Sequence, residues 1–180
     1  ASEVNFVSMI AFPKNGGTKL VRVRGLEGGF PFYGSIDTQP ISAANNYQKL
    51  GGALVDATLM LQFDIKPGDS IKIGEVTLAI IGSLKTIPGS SSISSTIAPP
   101  IIIPNRFIAQ TELLQFGSRK EYKFFYKSPT IDLTVLEKKL TAALAIENAG
   151  LDTHLSTSKR LGQGYANVSK FLNLAAFIAL

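Results

Sequence analysis

Apolar and polar positions alternate with a period of two over much of the first half of this chain, and turn-forming clusters interrupt that alternation at short intervals. Val4, Phe6 and then Met9 to Phe12 lead into Pro13-Lys14-Asn15-Gly16-Gly17, a turn cluster, and Thr18 to Arg24 leave it as a second strand. Strict alternation after Leu20 and Val21 gives that strand one wet face, as in an antiparallel or mixed sheet. Gly28 to Gly34 (GGFPFYG) forms an aromatic loop whose Phe30, Phe32 and Tyr33 are expected to plug the edge of a core rather than to form a contact patch. Leu50 to Asp56 reads as a strand leading into a short helix or turn over Ala57 to Phe63. Pro67-Gly68-Asp69 is a turn, and Ser70 to Gly74 and Val76 to Gly82 form a hairpin. The Ser-rich stretch Pro88 to Thr96 is expected to be a mobile loop. Pro99 to Pro104 is an apolar strand fenced by prolines, expected to be short or to sit at an edge because proline donates nothing to a ladder.

The last third alternates helix and strand. Asn105 predicts a helix to about Gln115 with Gly117 as its stop. Tyr122 to Lys127 reads as a strand. Asp132, or a capping box of Thr134 with Glu137, starts a helix that places Leu136, Leu140, Ala143 and Leu144 on one face and stops at Gly150. Leu151 to Thr157 reads as a strand, and a final helix begins near Leu161 or later. This order predicts an α+β fold, one sheet layered with helices and interrupted by a smaller β-rich unit.

Composition narrows the function classes. The 180 residues suffice for one large domain or two small ones. With no cysteine there is neither a disulfide framework nor a thiolate metal site. The net charge of +5 comes from scattered side chains: Lys19, Arg22 and Arg24 on one strand, and Arg119, Lys120 and Lys123 around a turn. Nucleic-acid binders concentrate such charge in a stripe, so solvated basic faces are expected and no nucleic-acid partner. The chain opens directly in strand-forming residues and closes on Phe171 to Leu180 (FLNLAAFIAL), apolar except for Asn173, which reads as an excised piece of a longer protein. The apolar end is either a helix docked into the chain's own core or the first part of a membrane helix, which needs roughly 20 residues to span.

The search for chemistry yields no catalytic, cofactor or metal residue. His154 is the single histidine, with no second histidine or cysteine to complete a metal site. The serines of 90–95 lack a nucleophile elbow. Gly162-Gln163-Gly164 lacks the rest of a dinucleotide loop, and no Walker A sequence occurs. Asp56 is expected to cap a short helix and Asp69 to bond within its own turn, so with Asp64 they form no convergent cleft. The chain is read as no enzyme, and as needing no cofactor.

The series Gly51 to Asp56, then Ile65 to Gly74 (IKPGDSIKIG), then Val76 to Gly82 resembles the periplasmic core domain of MacB/FtsX-type ABC-transporter permeases. The loop Gly29 to Gly34, and Thr111 to Leu114 leading to Gly117-Ser118-Arg119, are similar to the first extracytoplasmic domain of one branch, encoded near lysophospholipase-type esterases. The resemblance implies a ferredoxin-like, porter-type subdomain over 1–40 and 105–168, interrupted by a smaller β-rich inserted subdomain over 41–104, with 169–180 starting a transmembrane helix. It further implies an inner-membrane protein whose domain faces the periplasm. A separate cytoplasmic ATPase would be its partner through the membrane part, and conformational change would act on a periplasmic partner or a lipid-like cargo. Rigid transmission through the last helix is then expected, with the Ser-rich loop as the distal tip. The rival class is a stand-alone soluble binding module with a C-terminal core helix.

Overall fold

Hydrogen bonding between the strands of this protein closes into a ring. The computed structural model describes residues 1–88 and 97–178, save the side chains of 154, 155, 159–161 and 173–178; the Ser-rich loop expected at Pro88 to Thr96 lies, beyond Pro88, outside the described residues. Strands β1 (Ser2–Phe12) and β2 (Gly17–Glu27) pair antiparallel along their whole length, from Ser2 opposite Glu27 to Phe12 opposite Gly17. Their turn closes because Gly16 adopts a φ of 69°, in the left-handed region, and donates its N–H to Phe12 at 2.9 Å.

From β2 the ring continues through β7 (Pro100–Pro104, parallel) to β4 (Ala53–Asp56, antiparallel) and β6 (Val76–Thr86, parallel). It returns through β5 (Ser70–Ile73) to β1, both steps antiparallel. Two short strands attach to this ring: β3 (Asp37–Gln39) on β6 and β8 (Lys120–Phe124) on β1.

Alternation decides what fills the ring. Phe6, Phe12, Val23, Ile71, Ile80 and Ile103 belong to one buried cluster, with inward positions taken from all six ring strands. Leu26, Leu54 and Ile102, of opposite parity to their inward neighbours, form a second cluster with Ala43 and Tyr47 of helix α1 (Ala43–Leu50); Leu84 joins it beyond a bulge between β4 and β6. Ile101, Ile102 and Ile103 are all fully buried because β7 is covered on both faces, inside by the barrel and outside beside α1. The sequence pattern did not announce α1. It ends where Gly51, at φ 70°, returns its N–H to Tyr47.

The I-K-P-G-D-S-I-K-I-G stretch is a piece of barrel wall with its turn. Gly68 sits at φ 98°, the side chain of Asp69 accepts from the Lys66 N–H at 2.8 Å, and Ile71 and Ile73 point into the core. Asp56 caps helix α2 (Ala57–Gln62), accepting from Thr58 and Leu59 at 2.8 and 3.3 Å.

Three expectations need correction. The helix expected from Asn105 to about Gln115 is instead two 3-10 turns, Asn105–Phe107 and Ala109–Thr111; the Asn105 side chain reaches Glu27 at 3.4 Å and caps nothing. The stretch Leu151 to Thr157 is no strand: helix α4 (His154–Ile178) already begins there. Thr153 and Ser156 exchange side-chain and backbone bonds, N–H of Thr153 to Oγ of Ser156 at 2.9 Å and N–H of Ser156 to Oγ1 of Thr153 at 3.1 Å, a reciprocal cap that starts the helix. Finally, residues 41–104 do not stand apart from 1–40. Their strands β5 and β7 pair with β1 and β2, β4 and β6 complete the same sheet, and the compact units are Ala1–Lys127 and Ser128–Leu180.

The second unit holds α3 (Leu133–Ile146) and α4. Asp132 caps α3, accepting from Thr134 and Val135 at 2.9 and 3.4 Å, so the Thr134–Glu137 box is not the device used; the Glu137 carboxylate instead accepts from the Thr153 hydroxyl. Among the described residues no helix is long and apolar enough to cross a membrane.

Candidate functional site

The carboxylates of Asp56 and Asp69 have local structural tasks. Asp56 is a cap, as above. Asp69 also accepts from the Lys14 ammonium at 3.0 Å, and Lys14 reaches the Asp64 carbonyl at 2.8 Å. The backbone N–H of Lys66, then Lys14, hold the Asp69 carboxyl below its ordinary range. Gly162 and Gly164 lie within α4 and make no phosphate loop. His154 is the first residue of α4, and its side chain, like the serines of 90–95, lies outside the described residues. Among the described residues no group of histidine, aspartate and glutamate side chains could hold a metal ion.

What the fold does build is a groove beside β1. β8 pairs with β1 at Ser2 to Phe6 and β5 pairs at Ile10 and Ala11, so Val7, Ser8 and Met9 have no strand partner on that edge. The groove over this gap has a volume of about 850 Å³ and is lined by Asn5 to Ser8, Arg22, Leu113, Leu114 and Ser118 to Glu121. Arg22, Arg119 and Lys120 make it basic, against the one carboxylate of Glu121. Its hydroxyls are spent on backbone: Ser8 Oγ donates to Met9 and Ser118 Oγ to Leu113, both at 3.3 Å. Asn5 donates to Glu121 at 3.5 Å, while its Oδ1 is buried without a hydrogen-bond partner. Such a lining can hold or pack a chain segment, and offers no nucleophile paired with a base.

On the outer face of the same hairpin lies a feature the sequence reading missed. Arg24, expected on a solvated face, is buried, and its Nε and Nη2 donate to the Glu3 carboxylate at 2.6 and 2.8 Å. Its guanidinium also lies 5.5 Å over the Phe30 ring, which packs against Phe125 at 4.9 Å between centroids. Phe30 thus helps close the second cluster as expected of the aromatic loop, whereas Tyr33 is 75% exposed. The one trace of this in the sequence is that Arg24 shares a strand face with the apolar Leu26. Nearby Tyr47 has its hydroxyl pKa raised by burial, and that oxygen accepts from Gln48 at 3.0 Å.

No family model matches the chain. In sequence it is 27% identical over 164 residues, 90% of its length, to the uncharacterized ABC transporter permease YbbP of Escherichia coli strain K12. The chain spans 20% of the length of that relative. Among solved structures, a domain of a protein described as a permease, from Porphyromonas gingivalis, matches with a TM-score of 0.51 at 14% identity, over 80% of this chain and 68% of the other. The periplasmic region of MacB from Actinobacillus actinomycetemcomitans gives a TM-score of 0.49 at 12% identity, over 91% and 75%. In sequence the chain is similar to an ABC transporter permease and in fold to a permease domain, the class its motifs resemble.

Proposed function

We propose that the chain is an extracytoplasmic domain of an ABC-transporter permease, which carries conformational change from a cytoplasmic ATPase to the periplasmic side of the inner membrane. The similarity to an ABC transporter permease over 90% of the chain carries this reading. The barrel supports it in mechanical terms. A closed ladder with a dense apolar interior resists shear, so it moves as a body when an attached helix moves. In this reading residues 169–180 lead into a membrane helix, and the cargo is a substrate or lipid-like molecule handled on the periplasmic side.

The test is purification of the full-length parent protein from membranes. Co-purification with an ATPase subunit, and ATP-dependent change in protease protection of the barrel, are the expected results. A parent protein recovered only from the soluble fraction would return the reading to a stand-alone binding module.

A further inference from the structure

The outer edge of β8 carries a self-complementary pairing surface. Ala1 and Phe125 exchange both backbone bonds, the Ala1 ammonium to Phe125 at 3.1 Å and the Phe125 N–H to Ala1 at 2.8 Å. In an antiparallel ladder such pairs recur at every second residue. Lys123 opposite Glu3 and Glu121 opposite Asn5 therefore also point their N–H and C=O groups at β1. Those of Lys120, Tyr122 and Phe124 point the other way, where no described strand pairs with β8.

All five side chains of β8 are exposed, Tyr122 at 53% and Phe124 at 65%. The strand holds no proline, glycine or bulge to blunt it. Laid antiparallel against itself about Tyr122, it places Glu121 opposite Lys123 on both sides of the axis. Lys120 then faces Phe124, within reach of a cation–π contact like the one Lys120 already makes with Tyr122 at 5.1 Å. The smallest slip that keeps the open N–H and C=O groups facing each other is two residues, and it would oppose Glu121 to Glu121 or Lys123 to Lys123, like against like.

We propose that β8 pairs with β8 of a second copy of this chain, two-fold about Tyr122, through the N–H and C=O groups of Lys120, Tyr122 and Phe124. The contact is isologous, so it stops at a dimer. It is also small, and the +5 charge of each chain opposes it, so association is weak.

Sedimentation velocity of the 180-residue chain across a concentration series tests this. A rise from monomer to dimer mass is expected, and Tyr122→Pro should abolish it. That substitution removes an N–H directed at the open edge and none directed at β1. Lys123→Glu should also abolish it, and adding Glu121→Lys should restore it by reversing both pairs. The last two variants carry the test if the proline variant fails to fold, which its circular dichroism would reveal. A chain that stays monomeric up to ~1 mM, growth beyond a dimer, or a dimer indifferent to the charge reversal would each overturn the proposal.

Discussion

Arg24 and Glu3 stand on neighbouring strands with their side chains joined by two parallel bonds, and both side chains are almost wholly withdrawn from water, at 10% and 1% exposure. The register of the hairpin puts Glu3 opposite Leu26 and Asn5 opposite Arg24, so the pair spans a diagonal of the ladder on the barrel's outer face.

Truncating one member of this pair strands the other as an uncompensated charge. Arg24→Ala should cost about 3–5 kcal/mol, whereas the double variant Arg24→Met with Glu3→Leu should cost far less. Urea unfolding midpoints of the three proteins check this. Equal losses in the single and double variants would mean that packing of the arginine stem, rather than charge, dominates.

Gly74 joins β5 to β6 at φ 56°, and a Cβ there would lie 2.0 Å from the Thr111 carbonyl oxygen, the same atom that accepts the Glu75 N–H at 3.1 Å. Gly74→Ala therefore has to displace backbone as well as adopt a disfavoured conformation. A loss of at least ~1–3 kcal/mol in thermal or urea unfolding is expected. Gly29→Ala, with open space around its Cβ, serves as the control and should stay near wild type.

Asp69 supplies a pH signature. Its folded-state pKa is lowered, first by the Lys66 N–H and then by Lys14, so the ionised form stabilises the fold. That contribution is present above the ordinary carboxylate pKa and disappears as pH falls through the lowered value. Asp69→Asn should therefore melt below wild type at pH 7, and the gap should close in acid. A gap independent of pH would assign the effect to turn geometry alone.

Barrel interior and open edge should respond differently to the same loss of volume. Ile103 is fully buried in β7, and Ile103→Ala should cost about 2–5 kcal/mol. Val7 is 45% exposed on the stretch of β1 that pairs with β2 alone, and Val7→Ala should stay within about 0.5 kcal/mol. Denaturant titration of both variants reads the contrast directly.

Local chemistry settled much of this fold in advance. The turn at Pro13 to Gly17, the cap at Asp56, the cap at Asp132 and the inward set Ile71 and Ile73 all depend on residues within a few positions of one another. Their pattern is therefore visible in the chain itself, as is the chain's similarity in kind to permease domains. Helix α1 escaped because its segment AANNYQKL buries only Ala43 and Tyr47, too few apolar positions to show a helical period.

The closure of the ladder was decided elsewhere. β5 against β1 and β7 against β2 are pairings between strands about sixty and eighty residues apart, and no local period encodes which strands meet. That closure drew residues 41–104 into the same barrel as 1–40. It also enclosed Arg24, whose polar side chain on an alternating strand looked solvated until Glu3, Phe30 and the ring behind them came together.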